Sequence, residues 1–339
     1  MLSVILAAMV IITPATIGDI EPGQNVVLEP GEYGDLYFLR MSNVTFTAKD
    51  GAHIRSIRAK RCNGIVFDGL HVNLENGEGT VPAHLFDIRQ SERMTVRGCW
   101  ITCASDYRGW TTNDWVTRTA SGLTVQAPNS LIESNTIRVV CHGITATASN
   151  VVIRSNTIQH FRGDGMRALG DYSRVMSNTV QYSYDVSNNH DDGFQSWSKV
   201  RLITGIRLVG NYIERGANLP HRGPMQGIGC FGMTCLSWEV RSNVIYCDAY
   251  NGLVLHSASN CIIYGNTVLD PYPNDKGPAM IRCVNDLGGN IVESNKTHKI
   301  TGFQTVGENE IVDEAPPVEP AWDNMSVNEK LEWLKKKVG

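Results

Sequence analysis

The sequence predicts an all-β solenoid, coils of short parallel strands stacked into one elongated body, with a short C-terminal α-helix. Three observations predict it: a phrase built on Asn that returns about every 22 residues, a second phrase built on Gly between its copies, and a composition suited to tight turns. Of 339 residues, 42 % are hydrophobic, 32 are Gly and only 19 % are charged, against roughly 25 % in an average soluble domain. That mixture excludes disorder for most of the chain and leaves few stretches rich in helix formers.

The Asn phrase reads Ser134-Asn135-Thr136-Ile137, Ser155-Asn156-Thr157-Ile158, Ser177-Asn178-Thr179-Val180, Gly210-Asn211-Tyr212-Ile213, Ser242-Asn243-Val244-Ile245, Gly265-Asn266-Thr267-Val268 and Ser294-Asn295-Lys296-Thr297. Its spacings are 21, 22, 33, 32, 23 and 29 residues. The Gly phrase reads Gly122-Leu123-Thr124-Val125, Gly143-Ile144-Thr145-Ala146, Gly165-Met166-Arg167-Ala168, Gly193-Phe194-Gln195-Ser196, Gly227-Ile228-Gly229-Cys230 and Gly252-Leu253-Val254-Leu255. From Gly to the next Asn the count stays between 13 and 18, whereas from Asn to the next Gly it ranges from 8 to 16. Two strands per coil are expected, with growth in the turns. One coil cannot bury its apolar face alone, so stacking must supply both core and ladder hydrogen bonds. An Asn recurring at one place suits a left-handed backbone, and stacked Asn side chains can bond from coil to coil.

On these phrases the chain resembles the right-handed parallel β-helix superfamily, which includes pectate lyases, polygalacturonases and phage tailspikes. The resemblance covers residues 35–305, with Asn43-Val44-Thr45-Phe46, Asn63-Gly64-Ile65-Val66 and Arg93-Met94-Thr95-Val96 as less regular early coils. Residues 1–34 form an N-terminal strand or cap region. Their apolar start, Met1 to Ile12, lacks early Lys or Arg and a small-residue cleavage site, so no signal peptide is recognised, and it is too short to span a bilayer. Residues 306–325 are a Pro-rich linker containing Ala315-Pro316-Pro317-Val318-Glu319-Pro320. Residues 326–339 are an amphipathic helix, with a Ser326/Glu329 capping box and Val327, Leu331, Leu334 and Val338 on one face. That helix suits either a cap on the last coil or attachment to another subunit or a larger particle.

A net charge of −4 offers no basic face for nucleic acid. The nine cysteines fit no metal spacing and are expected to be reduced core residues, as in a protein folded in the cytosol.

Additions on one corner of a solenoid build one wall of a groove. The larger ones here run from Cys99 to Gly122, Tyr182 to Asp192 and Arg215 to Gln226. The first carries Trp110 and Trp115, whose flat faces suit sugar rings or, equally, a lid packed on the core. Just before each strand glycine stands a column: His142, Asp164, Asp192, Gln226, Asn251. Stacked in register, Asp164 and Asp192 become neighbours about 4.8 Å apart, and one must hold a proton near neutral pH. A proton donor beside an anion is what glycosidic cleavage needs. The expected catalytic set is Asp164, Asp191, Asp192 and His190, with Arg167, Gln195, Trp197, His221, Arg222, His256, Trp110 and Trp115 holding substrate. Asp192 would protonate the leaving oxygen and Asp164 act as base or nucleophile.

Asp164 followed by Asp191-Asp192 is similar to the catalytic arrangement of polygalacturonases, although that family's Gly-His-Gly and Arg-x-Lys do not occur: Gln226-Gly227-Ile228-Gly229 and Val254-Leu255-His256 stand instead. The resemblance to pectate lyases implies a second chemistry, with calcium held by Asp164, Asp191 and Asp192 and Arg167 or Arg222 as base. No other cofactor is expected. The resemblance as a whole implies a polysaccharide partner, no membrane insertion, and a virion or extracellular setting reached by lysis. The alternatives are a non-catalytic structural or adhesion protein and a sugar epimerase.

Overall fold

Strands stack in parallel from Met9 to Ile311 in this computed structural model, which describes residues 9–74, 80–186, 190–198, 202–216, 224–272 and 277–315. The chain is a right-handed parallel β-helix. The expected C-terminal helix at 326–339, and the Pro-rich run before it, lie outside the described residues.

Each regular coil contributes three strands rather than the two expected. One coil runs Leu131–Glu133, Thr136–Val140 and Ile144–Ala146; the next runs Val152–Arg154, Thr157–Phe161 and Met166–Ala168. The first strands of the coils form a 12-stranded sheet, and the second and third form two ladders of a 22-stranded sheet. The two ladders join at Ala52–Lys60, which pairs with both His71–Asn73 and His84–Arg89. The first-ladder strands escaped the repeat because they share no fixed residue, only a central apolar one such as Ile132, Ile153 or Val175. The early phrases at Asn43, Asn63 and Arg93 belong to this ladder, since Thr45–Ala48, Val66–Asp68 and Thr95–Arg97 pair within the 12-stranded sheet.

The stack is also longer than 35–305. Met9–Ile12 and Asn25–Leu28 are its first rungs, and Glu310–Ile311 pairs with Lys296–Thr297, so 306–312 continue the solenoid where a linker was expected.

The recurrent asparagines form one continuous buried ladder. Each side-chain Nδ2 donates to the next Oδ1 at 2.9 Å, from Asn135 through Asn156, Asn178, Asn211, Asn243, Asn266 and Asn295 to Asn309. The same Oδ1 also accepts the backbone N–H of the preceding asparagine. The left-handed backbone expected of these asparagines belongs to the residue before each: Ser134, Ser155, Ser177, Ser242 and Ser294 have φ of 53–57°, and Gly210 and Gly265 do the same. A small residue there costs little and frees the Asn for the ladder.

Inward residues such as Ile137, Ile158, Val180, Ile213, Ile245 and Val268 fill the core, each fully buried and each contributing about 1.5–3 kcal/mol by leaving water. Near the N-terminal end Phe38, Phe46, Phe67 and Phe86 pack in turn, tilted, stacked and edge-on, with centroids 4.6, 5.3 and 4.9 Å apart. The reading of all nine cysteines as reduced is corrected at one place, where Cys230 and Cys235 are joined as a disulfide; six of the other seven are buried and free. No helix among the described residues is long and apolar enough to cross a membrane.

Candidate functional site

The three enlarged connections all leave the second ladder and enter the third. They follow Trp100–Thr102, Thr179–Ser183 and Tyr212–Glu214 and lead to the third-ladder strands that begin at Ser121, Asp192 and Gln226. Two columns of the third ladder meet this corner. The glycine column is internal: a Cβ on Gly143 would lie 2.3 Å from the Gly165 carbonyl oxygen, and one on Gly227 2.1 Å from that of Gly252. The chain therefore lies flat there and turns the preceding residue toward the corner. Backbone N–H groups of Gly122, Gly143 and Gly165 bond to the carbonyls of His142, Asp164 and Asp192, at 2.7, 3.0 and 2.8 Å. The expected column stands in register.

Its acidic members are not on an open wall. Asp164 and Asp192 are both 0 % exposed. Asp164 Oδ2 accepts from Arg167 Nε, and its Oδ1 accepts the Asp192 N–H at 3.2 Å. Asp192 Oδ2 accepts from Gln195 Nε2 at 2.7 Å, while its buried Oδ1 has no hydrogen-bond partner. Burial raises both carboxyls; for Asp164 the adjoining Arg167 guanidinium opposes the rise, and for Asp192 the Asp164 charge adds to it. Of the pair, Asp192 is thus the one whose proton is held more strongly and Asp164 the one whose charge is favoured. Asp164, expected as base or nucleophile, is fully buried and enclosed by Arg167 and Asp192 instead of facing the open groove.

Below them His142 Nδ1 accepts the Asp164 N–H at 2.9 Å, and burial drives its pKa down to about 3, so it is a neutral prop. Asp191 is also buried, its Oδ2 taking the Ser183 hydroxyl at 2.8 Å. Calcium does not fit this donor set. Arg167 occupies Asp164, Ser183 occupies Asp191, and no group of three acidic, His or Cys ligands gathers among the described residues.

Above Asp192 opens a groove of about 480 Å³ lined by His190, Asp192, Gln195, Trp197, Gln226, Phe231, Tyr250 and Asn251. Trp197 is 43 % exposed, Tyr250 and His190 are exposed, and Phe231 stands beside Trp197 in register. Asn251 Nδ2 donates to Gln226 Oε1 at 2.7 Å, and Arg282 backs both Asn251, at 3.2 Å, and the Tyr250 ring. Gly229 has its place because a Cβ would press on the Phe231 ring at 2.1 Å and on Asp192 Oδ1 at 3.2 Å. His256 lies behind Phe231, ring centroids 5.2 Å apart, with Nδ1 accepting the Gly232 N–H.

The structure thus brings together His190, Asp192, Gln195 and Trp197 of the expected set, with Arg167 and Asp164 one rung beneath and Asp191 buried on Ser183. His221 and Arg222 lie outside the described residues. Trp110 and Trp115 are corrected. Trp115 is 1 % exposed and stacks on Tyr184 at 4.4 Å, while Arg118 covers the Trp110 ring at 4.7 Å. They pin the helix Thr112–Arg118 as a lid on a satellite core with Tyr107 and Val139. Phe231 and Tyr250 were missed. Phe231 enters through an irregularity between Cys230 and Thr234 that breaks the period, and Tyr250 sits in a turn without a recurring phrase. Gln226 and Asn251 did carry a signal, as members of the column.

The state of Asp192 has a consequence for stability. Its carboxyl is raised in the folded chain and ordinary, near 3.9, in the unfolded one. Above about pH 4 the folded chain binds a proton that the unfolded chain has released, so stability falls as pH rises toward the folded-state value. Asp192→Asn removes this titration, and its melting temperature should decline less than that of the wild type between about pH 5 and 9. A parallel decline in the two proteins would show Asp192 ionised.

No protein-family model and no curated protein matches the chain. Among solved structures it is similar to the A-module of a mannuronan C-5 epimerase from Azotobacter vinelandii, at 13 % identity and a TM-score of 0.49 over 87 % of this chain and 92 % of that one. It is similar to a mannuronic-acid-specific polysaccharide family 6 lyase from human gut microbiota, at 14 % and 0.47 over 90 % and 82 %. The Dettilon tailspike protein matches at 13 % and 0.40 over 88 % and 68 %. The strand registers themselves establish the fold, and nothing about activity follows from likenesses this distant.

Proposed function

We propose that this chain binds a polysaccharide in the groove above Asp192 and hydrolyses its glycosidic bonds with Asp192 as proton donor. The observation that supports this reading is a fully buried carboxyl, its pKa raised by burial and by the Asp164 charge, at the foot of a groove walled by Trp197, Phe231 and Tyr250. Aromatic faces suit the apolar face of a sugar ring, and Gln226, Asn251 and His190 suit its hydroxyls. The sugar gains access by replacing the Gln195 amide on Asp192 Oδ2. Asp192 then gives its proton to the bridging oxygen as the bond to the anomeric carbon breaks. Water supplies the hydroxyl to that carbon, and its remaining proton returns through solvent to Asp192. Asp164, held by Arg167, keeps the proton on Asp192 between turnovers. An extracellular or virion setting is where such a groove meets polysaccharide.

Incubation of the full chain with a panel of bacterial capsular polysaccharides should release reducing ends without unsaturated sugars. Asp192→Asn should lower the rate about a hundredfold to ten-thousandfold. Unsaturated products would make the protein a lyase, and altered stereochemistry without shortening an epimerase. Polysaccharide left unchanged throughout would favour a structural or adhesion role, and full activity in Asp192→Asn would remove the assigned donor.

A further inference from the structure

A second cavity, of about 210 Å³, lies on the same ladder toward the N-terminal end, lined among others by Tyr37, Ser56, Arg58, Pro82, His84 and Asp87. Register ties it to the groove. Tyr37, Arg58, Asp87, Thr124, Thr145, Arg167 and Gln195 occupy one column, so Asp87 stands four rungs, about 19 Å, from Gln195. The acidic residues of this cavity differ in kind. Asp35 is filled, taking both Arg55 Nη1 contacts, at 2.8 and 2.7 Å, and the Ser56 hydroxyl at 2.7 Å.

Asp87 is 2 % exposed and accepts one hydrogen bond, from Arg89 Nε at 2.7 Å. Its Oδ2 has none; Arg58 Nε lies 3.3 Å away without hydrogen-bond geometry. A carboxylate offers about four acceptor positions, and one buried with most of them empty is unfavourable unless a donor arrives. Burial keeps His84 neutral, with Nδ1 on the Thr124 hydroxyl at 2.9 Å, so the charge of Asp87 is balanced by Arg58 and Arg89 while its Oδ2 still lacks a hydrogen bond. The exposed Tyr37 ring and Pro82 supply an apolar face at the mouth, and the exposed Arg58 further donors.

We infer that this cavity is a second saccharide site, taking one neutral pyranose ring with a hydroxyl donated to Asp87 Oδ2 and the ring face on Tyr37. The inference rests on reading the protein as polysaccharide-binding, and it gives the polymer an anchor several sugar units from the groove.

Saturation-transfer NMR on the full chain with methyl glycosides of glucose, galactose and mannose tests it. To silence the groove, the test is run in Trp197→Ala. Saturation should reach the ring protons of at least one glycoside, and adding either Tyr37→Ala or Asp87→Asn should cut it fivefold or more. Tyr37→Ala removes an exposed side chain and keeps the test valid should Asp87→Asn fail to fold. Transfer unaffected by Tyr37→Ala, or absent in Trp197→Ala altogether, overturns the inference, as does a cavity that takes calcium chloride and no sugar. A chain inactive on every polysaccharide but still showing Tyr37-dependent transfer would sink the hydrolase reading and leave this site standing.

Discussion

Asn211→Ala should cost about 4 kcal/mol of folding stability, measured by urea denaturation. The side chain is 1 % exposed and closes two links of the ladder at once. Its Oδ1 accepts from Asn178 N and Nδ2 at 3.1 and 2.9 Å, and its Nδ2 donates to Val175 O and Asn243 Oδ1, each at 2.9 Å. Alanine strands the Asn178 N–H where no water reaches, at about 1–3 kcal/mol, and takes one hydrogen bond from each of Asn178 Nδ2, Val175 O and Asn243 Oδ1, at about 0.5–1.5 kcal/mol apiece, the first still holding Ile153 O and the last Asn211 N–H. Asn309→Ala is the comparison. It ends the same ladder through bonds of the same length, but Asn309 is half-buried, and water can take over its partners. The expected loss there is about 1 kcal/mol. Equal losses at the two positions would show that the ladder owes its strength to something other than burial.

Gly143→Ala should cost about 3 kcal/mol and disturb the acidic pair as well. The new methyl would stand 2.3 Å from the Gly165 carbonyl oxygen and 2.6 Å from Ile158 Cγ2. Gly143 does not have a positive φ, so the penalty is one of space rather than backbone conformation. Relief requires the coils to part, which breaks the 3.0 Å bond from Gly143 N to Asp164 O and moves Asp164 against Arg167. Gly109→Ala, with nothing within 4 Å, should stay within about 0.5 kcal/mol of the wild type. Urea denaturation of both variants decides the matter: a tolerated Gly143→Ala would mean that the inner column is not close-packed.

Much of the scaffold was legible because stacked coils repeat their constraints. The Asn and Gly phrases marked the two ladders that need a particular side chain or the lack of one, and they placed Asp164 and Asp192 one rung apart. The remaining ladder asks only for an apolar residue at its centre, a demand that many residues meet and that leaves no phrase. The site was legible as far as register reaches: Asp192, Gln195, Gln226 and Asn251 follow from it. Burial did not, because whether a carboxylate is covered depends on how Arg167 and Gln195 lie over it, and the repeat does not encode that. The tryptophans were misjudged for a related reason. A loop rich in aromatics can face a ligand or its own scaffold, and Tyr184, contributed three coils later, decided for the scaffold.

The corner where connections vary in length has a consequence for how the protein can change. Hydrogen bonding between coils lies in the three ladders and the Asn column, and strand residues such as Trp197, Phe231 and Asn251 give the groove its fixed wall, while His190 and Tyr250 reach it from segments that cross from one ladder to the next. Exchanging the segment before Asp192–Trp197 or before Asn251–Ser259 for a longer or shorter one changes what stands at His190 or Tyr250 but leaves every rung paired with its neighbour. Recognition in this architecture can therefore diverge quickly on a frame that stays constant.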